Sequence, residues 1–192
     1  MTSQTSASDW NAVLANEFAK ESDRAAVILT SAILERVLES LLCKRLAPPS
    51  DHPDELFQGR GPASGLSAKI AFAYRLGLIS SGFRRDLDLI RRIRNEFAHN
   101  VHGCSFESQG VQSRVLALST SSGLQDRCKP IRDLLPPGTR HDFLFIASWL
   151  LHSLNQTIES VEPIREAAPE FGYTYSITAA ETEQIRAELQ KP

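Results

Sequence analysis

A chain of 192 residues, 42% hydrophobic and 23% charged, has the length of one globular domain and can bury roughly two-thirds of its unfolded surface without help from a disulfide framework or a structural metal. A formal net charge of −2 gives no global attraction to nucleic-acid phosphates, which weighs against binding by bulk charge and leaves room only for a local basic patch. Cys43, Cys104 and Cys128 are odd in number and lack Cys-x-x-Cys spacing, Met1 to Ser8 lacks the regions of a signal peptide, and no stretch approaches ~18 uninterrupted apolar residues, so a cytoplasmic chain with reduced thiols, no metal, no cofactor and no membrane segment is expected.

Residues 1–8 read as a disordered N-terminal tail and 9–192 as a single helical domain. Asp9 is placed to cap a short helix through about Glu21, with Trp10, Val13, Leu14 and Phe18 on its apolar side. From Asp23 to about Arg45 the chain has neither Gly nor Pro, and Val27, Leu34, Leu38 and Leu41 recur at helical spacing. Ile28, Leu29, Ile33 and Val37 widen that stripe until the first half is apolar nearly all round, which predicts a helix buried centrally among others. Ala47-Pro48-Pro49 ends it, and the Pro- and Gly-rich stretch to Gly65 carries Leu56-Phe57 as an apolar anchor, the mark of a loop tacked to the body.

Leu66 to Leu76 is predicted as a helix with Ile70, Ala73 and Tyr74 inward and Gly77 at the left-handed position after its end. Ser80 or Ser81 starts the next, through about His99, with Phe83, Leu87, Ile90 and Phe97 on one stripe and Leu89 and Ile93 beside it. Glycines and prolines between 100 and 140 allow only short helices there, such as Val111 to Leu118 and Asp126 to Leu135. His141 to about Val161 is another helix with Phe145, Trp149, Leu150, Leu154 and Ile158 near one stripe. Thr178 to Gln190 is a terminal surface helix, opened by Thr178 with Glu181 three residues on. With no alternating stretch of useful length, the expected fold is all-α, a single-domain helical bundle with Leu34, Leu38, Ile90, Phe97 and Trp149 in its core.

Chemistry concentrates in Arg94-Asn95-Glu96-Phe97-Ala98-His99. On an ideal helix Arg94 falls within the arc of Phe83, Leu87, Ile90 and Phe97, so its guanidinium is expected at a packed or interfacial surface, where it requires a carboxylate, carbonyls, a bound anion or a partner subunit. Arg94 and His99 differ by about 140° around the axis, and converge only if the helix ends early or if they come from two chains. Together at one phosphodiester, the guanidinium would stabilise developing negative charge and the imidazole would shuttle a proton, which suffices for metal-independent RNA cleavage. The structural alternative gives Arg94 a buried salt bridge and makes His99 a cap for the helix C-terminus. Arg84, Arg85, Arg91 and Arg92, interspersed with Asp86 and Asp88, form a basic surface of the same helix, more often a solvated face than a phosphate site. Gly59-Arg60-Gly61 lacks the context of a phosphate-binding loop, and no helix-turn-helix with a base-reading second helix is evident.

Three segments together resemble the mannitol operon repressor family: Asp23-Arg24-Ala25-Ala26-Val27-Ile28 into Ala32-Ile33-Leu34-Glu35, Leu66-Ser67-Ala68-Lys69-Ile70 through Ala73-Tyr74-Arg75-Leu76-Gly77-Leu78-Ile79, and Ile90-Arg91-Arg92-Ile93-Arg94-Asn95-Glu96-Phe97-Ala98-His99. The resemblance spans about residues 15–165 and is strongest before residue 100. It implies an all-helical, bacterial, cytoplasmic protein that represses transcription of a sugar-alcohol operon. The last segment alone also resembles the Arg-x4–6-His motif of HEPN domains, helical bundles that are often dimeric ribonucleases or nucleotide-binding modules. That likeness implies a site lined by Arg94, Asn95 and His99.

Two expectations follow. The first is a negative regulator of transcription that works through a protein partner, since direct DNA binding has no support in charge or motif, and that forms a homodimer with the Arg94 helix near its interface. The alternative is a metal-independent ribonuclease or RNA- or nucleotide-binding module that uses Arg94 and His99.

Overall fold

Ser22 sets the start of the first helix. Its hydroxyl accepts the Ala25 backbone N–H at 3.2 Å, Asp23 adds a negative charge in the first turn, and Lys44 and Arg45 oppose the dipole in the last. The computed structural model describes residues 18, 21–49, 54–100, 103–122, 136–167 and 177–189. Among them lie six helices and no strand: α1 (Asp23–Arg45), α2 (Leu66–Arg75), α3 (Ser81–His99), α4 (Gln109–Ser122), α5 (Thr139–Ser160) and α6 (Ala179–Leu189). The fold is all-α, as the sequence predicts. The expected tail at 1–8, the helix from Asp9 and the helix from Asp126 to Leu135 lie outside the described residues, except that Phe18 is buried in the core.

α1 packs against α5, α3 and α2, which makes it the central element. Ion pairs and backbone bonds fix the directions. Arg140, at the start of α5, pairs with Asp23 at 2.7 Å and donates to the Glu21 carbonyl at 2.8 Å, while at the far end Lys44 reaches the Ile158 and Glu159 carbonyls, so α1 and α5 run parallel. Arg24 donates to the Asn100 carbonyl just beyond α3, so α3 runs antiparallel to α1. α4 is pinned to α3 by an Arg114–Glu96 ion pair and packs on α5 as well. Leu34, Leu38, Leu41 and Leu42 of α1, Ile70 of α2, and Leu87, Ile90, Ile93 and Phe97 of α3 share one core. Phe97, Phe106 and Phe143 form a tilted row with ring centroids 5.5 Å apart at each step, joining α3, the loop before α4, and α5.

Two expectations about the core need correction. Leu29 is 43% exposed, with Ile28, Ile33 and Val37 only partly buried, because α1 has neighbours on three sides and not all round. Trp149 sits half-buried at the core's edge, edge-on to Phe145 and His152, because the buried face of α5 is centred on Phe143, Ile146, Ala147, Leu150 and Leu154. Gly77 takes φ +70°, the left-handed conformation that ends α2. The segment from Asp54 to Gly65 is held to the body through buried Phe57 and Ala63, and a Cβ at Gly61 would come within 2.3 Å of the Glu55 carbonyl. Around residue 178 the expected reciprocal cap is present: the Thr178 N–H donates to the Glu181 carboxylate at 2.9 Å and the Glu181 N–H to the Thr178 hydroxyl at 3.4 Å. No described helix is long and apolar enough to cross a membrane.

Candidate functional site

The six residues from Arg94 to His99 occupy the last two turns of α3, a helix opened by Ser80, whose hydroxyl accepts the Phe83 N–H at 3.1 Å. Helical spacing sends them to different places. Phe97 enters the core, Glu96 turns toward α4 and takes the Arg114 guanidinium, and Arg94 and Asn95 point the other way. Arg94 is exposed and so is not packed within one chain, its long stem carrying the guanidinium past the edge of the core. There it donates to the Asn95 side-chain oxygen at 3.2 Å and, among the described residues, meets no carboxylate.

Arg94 and Asn95 line a groove of about 430 Å³ between α1, the N-terminus of α2 and α3. Ile28 and Ala32 form its apolar side, Arg91 stands beside Arg94, and Gly65 opens α2 without a side-chain cap. Arg91 is partly neutralised by Asp88, one turn back at 3.1 Å, which leaves Arg94 as the groove's exposed cation without a carboxylate among the described residues. His99 does not line this groove. It is exposed at the end of α3, and the Asn100 carbonyl just beyond it is taken by Arg24. The structure therefore brings Arg94 and Asn95 together and leaves His99 apart within one chain.

Compared with protein-family models, with curated proteins and with solved structures, the chain matches none.

Bordering the groove is a charged cluster that the sequence reading passed over. Lys69 of α2 is only 3% exposed, yet its ammonium pairs with Glu35 and Glu39 of α1 at 2.9 Å each and donates to the Ser64 carbonyl at 3.1 Å. Burial pulls its pKa down, but the hydrogen bonds and charges of the two glutamates outweigh it and hold the ammonium above its ordinary value. A lysine kept protonated is a structural cation and no general base. Its place three residues after Leu66 and four before Ala73, on the inward face of α2, is the sequence signal that marks it.

Neither of the two described thiols is an activated nucleophile. Burial of the sulfur, then the carboxylates of Glu39 and Asp54, push Cys43 up, and burial followed by Glu96 does the same for Cys104, so both are weaker nucleophiles than a free thiol. Among the described residues no three His, Cys, Asp or Glu side chains are grouped to hold a metal ion. A second and larger hollow, about 900 Å³, lies between α3 and α4 and is bounded by Tyr74 at the end of α2. Arg84, Arg85 and Arg92, all exposed, stand on its rim, with Arg84 4.9 Å above the Tyr74 ring, while Arg91 of the same predicted basic surface lines the smaller groove.

Proposed function

We propose that this chain is a cytoplasmic regulatory protein, a negative regulator of transcription of the mannitol operon repressor kind, which acts through a protein partner and not by reading DNA bases. The observation that carries this reading is the division of the Arg94–His99 segment. Two of its members, Glu96 and Phe97, hold α3 to its neighbours, two more line a groove, and the histidine lies outside that groove. A proton-transfer group must come within hydrogen-bond reach of the atom it serves, whereas recognition needs only an exposed donor beside a cavity. The Arg94 guanidinium and Asn95 amide, above the apolar side formed by Ile28 and Ala32, suit an acidic side chain presented by a partner.

The test is genetic and biochemical together. Deleting the gene should raise the transcript of one operon, and re-expression of the wild-type chain but not of Arg94→Ala should lower it again. The purified protein should leave that operon's promoter fragment unretarded at low salt. Sequence-specific retention of the promoter by the protein alone would remove the partner from the proposal, and an unchanged transcript profile would remove the regulator.

A second reading, a metal-independent ribonuclease or RNA- or nucleotide-binding module, is favoured by one observation: the Arg94 guanidinium has no carboxylate among its described contacts and is open to a phosphate. In that reading His99 comes from a second copy of the chain.

A further inference from the structure

The central helix α1 turns one face outward. α2 and α3 lie along one side of it, where Lys69 meets Glu35 and Glu39 and where Ile28 walls the Arg94 groove, and α5 lies along another. Between those sides Leu29 is 43% exposed and Ala32 is exposed, with Ala25 and Ile33 half-buried beside them. At about 100° per residue Ala25, Leu29, Ala32 and Arg36 fall within an arc of about 60°, so they form one ridge about 16 Å long, three turns of helix. A leucine left in water on the helix that forms the middle of the core marks this ridge as apolar contact surface.

Charge distinguishes its two sides. Ala32 belongs both to the ridge and to the wall of the Arg94 groove, so ridge and groove are one surface. Arg94 stands across the groove, and Arg36 ends the ridge; both are exposed, and among the described residues neither meets a carboxylate. The carboxylates nearby are engaged, Glu35 by Lys69 and Asp88 by Arg91. An apolar strip between two unpaired guanidiniums is complementary to apolar side chains set between carboxylates. A second copy meeting this surface face to face would bring the same two cations and no unengaged carboxylate, so charge selects a different chain.

We infer that this surface binds an acidic amphipathic helix of a protein partner. Apolar side chains one turn apart lie on Leu29 and Ala32, one carboxylate enters the groove to Arg94 and Asn95, and a second pairs with Arg36. The inference rests on the partner reading proposed above and names the element by which that partner is recognised. Spacing selects a helix. The ridge repeats every three or four residues, about 5–6 Å, which the face of another helix matches turn for turn, whereas an extended segment returns a side chain to the same face only every ~7 Å.

A photo-cross-linking residue at Ser40, exposed one turn beyond Arg36, leaves ridge and groove intact and captures in cells whatever lies on them. The captured peptide is sequenced, synthesised and titrated against the full-length protein. It should come from another protein, carry net negative charge with apolar residues three or four apart, and gain helicity by circular dichroism on binding. Leu29→Asp and Arg36→Glu, both at exposed positions, should each weaken it by about tenfold or more while leaving the protein's own melting temperature unchanged. Exchanging a glutamate of the peptide for lysine should recover part of the binding to Arg36→Glu. Capture of this chain's own residues, of a basic or uniformly polar peptide, or of no protein would overturn the inference, as would a peptide that binds wild type and both variants alike. Returning the variants to the deletion strain separates this surface from the regulatory role. Repression restored equally by wild type, Leu29→Asp and Arg36→Glu would remove the docking surface and leave the regulator. An acidic peptide bound as described, from a strain whose transcripts the deletion does not change, would support the surface and remove the regulator.

Discussion

Lys69 poses the sharpest question at the scale of single residues, because an ammonium only 3% exposed must be repaid by its partners or it would unfold the region around it. Glu35 and Glu39 do so from the adjacent helix, and both remain about a third exposed, so water still shares their charge and the gain is smaller than a fully buried pair would give. Lys69→Met should therefore destabilise by about 1–3 kcal/mol, while Glu35→Gln, which leaves Glu39 in place, should cost about 1 kcal/mol or less. The sign of the pH dependence follows from the direction of the shift. A lysine held above its ordinary value of 10.5 contributes its stability in full below that pH and loses it as pH rises through the folded-state value. Urea denaturation should show a constant gap between wild type and Lys69→Met from neutral pH up to 10.5 and a shrinking gap above it. A gap that widens with alkali would mean that the ammonium is not what the glutamates hold.

At the scale of elements, α3 turns one face to the core and the other to solvent. Phe97 joins α3 to Phe106 and through it to Phe143 of α5, so its removal opens a cavity shared by three segments. Phe97→Ala should cost about 3–5 kcal/mol, against less than about 0.5 kcal/mol for Arg92→Ala on the exposed side. Equal effects on the denaturation midpoint would refute that division. The apolar spacing that marks α3 also marks α1, α2 and α5, and the boundaries read from Ser80, Gly77 and the Thr178–Glu181 pair agree with the structure to within a residue or two. These signals are local: a cap is satisfied by atoms three residues away, so sequence alone displays it. Leu29 and Trp149 were misjudged because exposure depends on how many helices surround a face, which no periodicity states. The Lys69 cluster and the Arg114–Glu96 clip went unseen for the same reason, since each joins residues on different helices. Of the candidate site, Arg94 and Asn95 were legible as neighbours, whereas the groove beside them needs α1 and α2 in place before it exists.

For the whole molecule, the question is whether two copies complete what one leaves apart. Arg94 and His99 occupy different surroundings in a single chain, so any catalytic pairing must join the arginine of one protomer to the histidine of the other. That arrangement has an arithmetic signature. A heterodimer of Arg94→Ala with His99→Ala carries one site lacking both groups and one site with both intact, so mixing two inactive variants would restore part of the activity. A site contained in one chain would recover nothing, because each variant lacks one of its members. Under the regulatory reading, metal-free incubation with single-stranded RNA should give no cleavage by wild type, by either variant or by their mixture. His99→Ala should also leave the melting temperature within a few degrees of wild type, since the Asn100 carbonyl is held by Arg24 and not by the imidazole. Cleavage by wild type that disappears in each variant, where removal of a general acid or base costs roughly 10²–10⁴-fold, and that returns on mixing would establish a nuclease shared between two chains and overturn the regulatory reading.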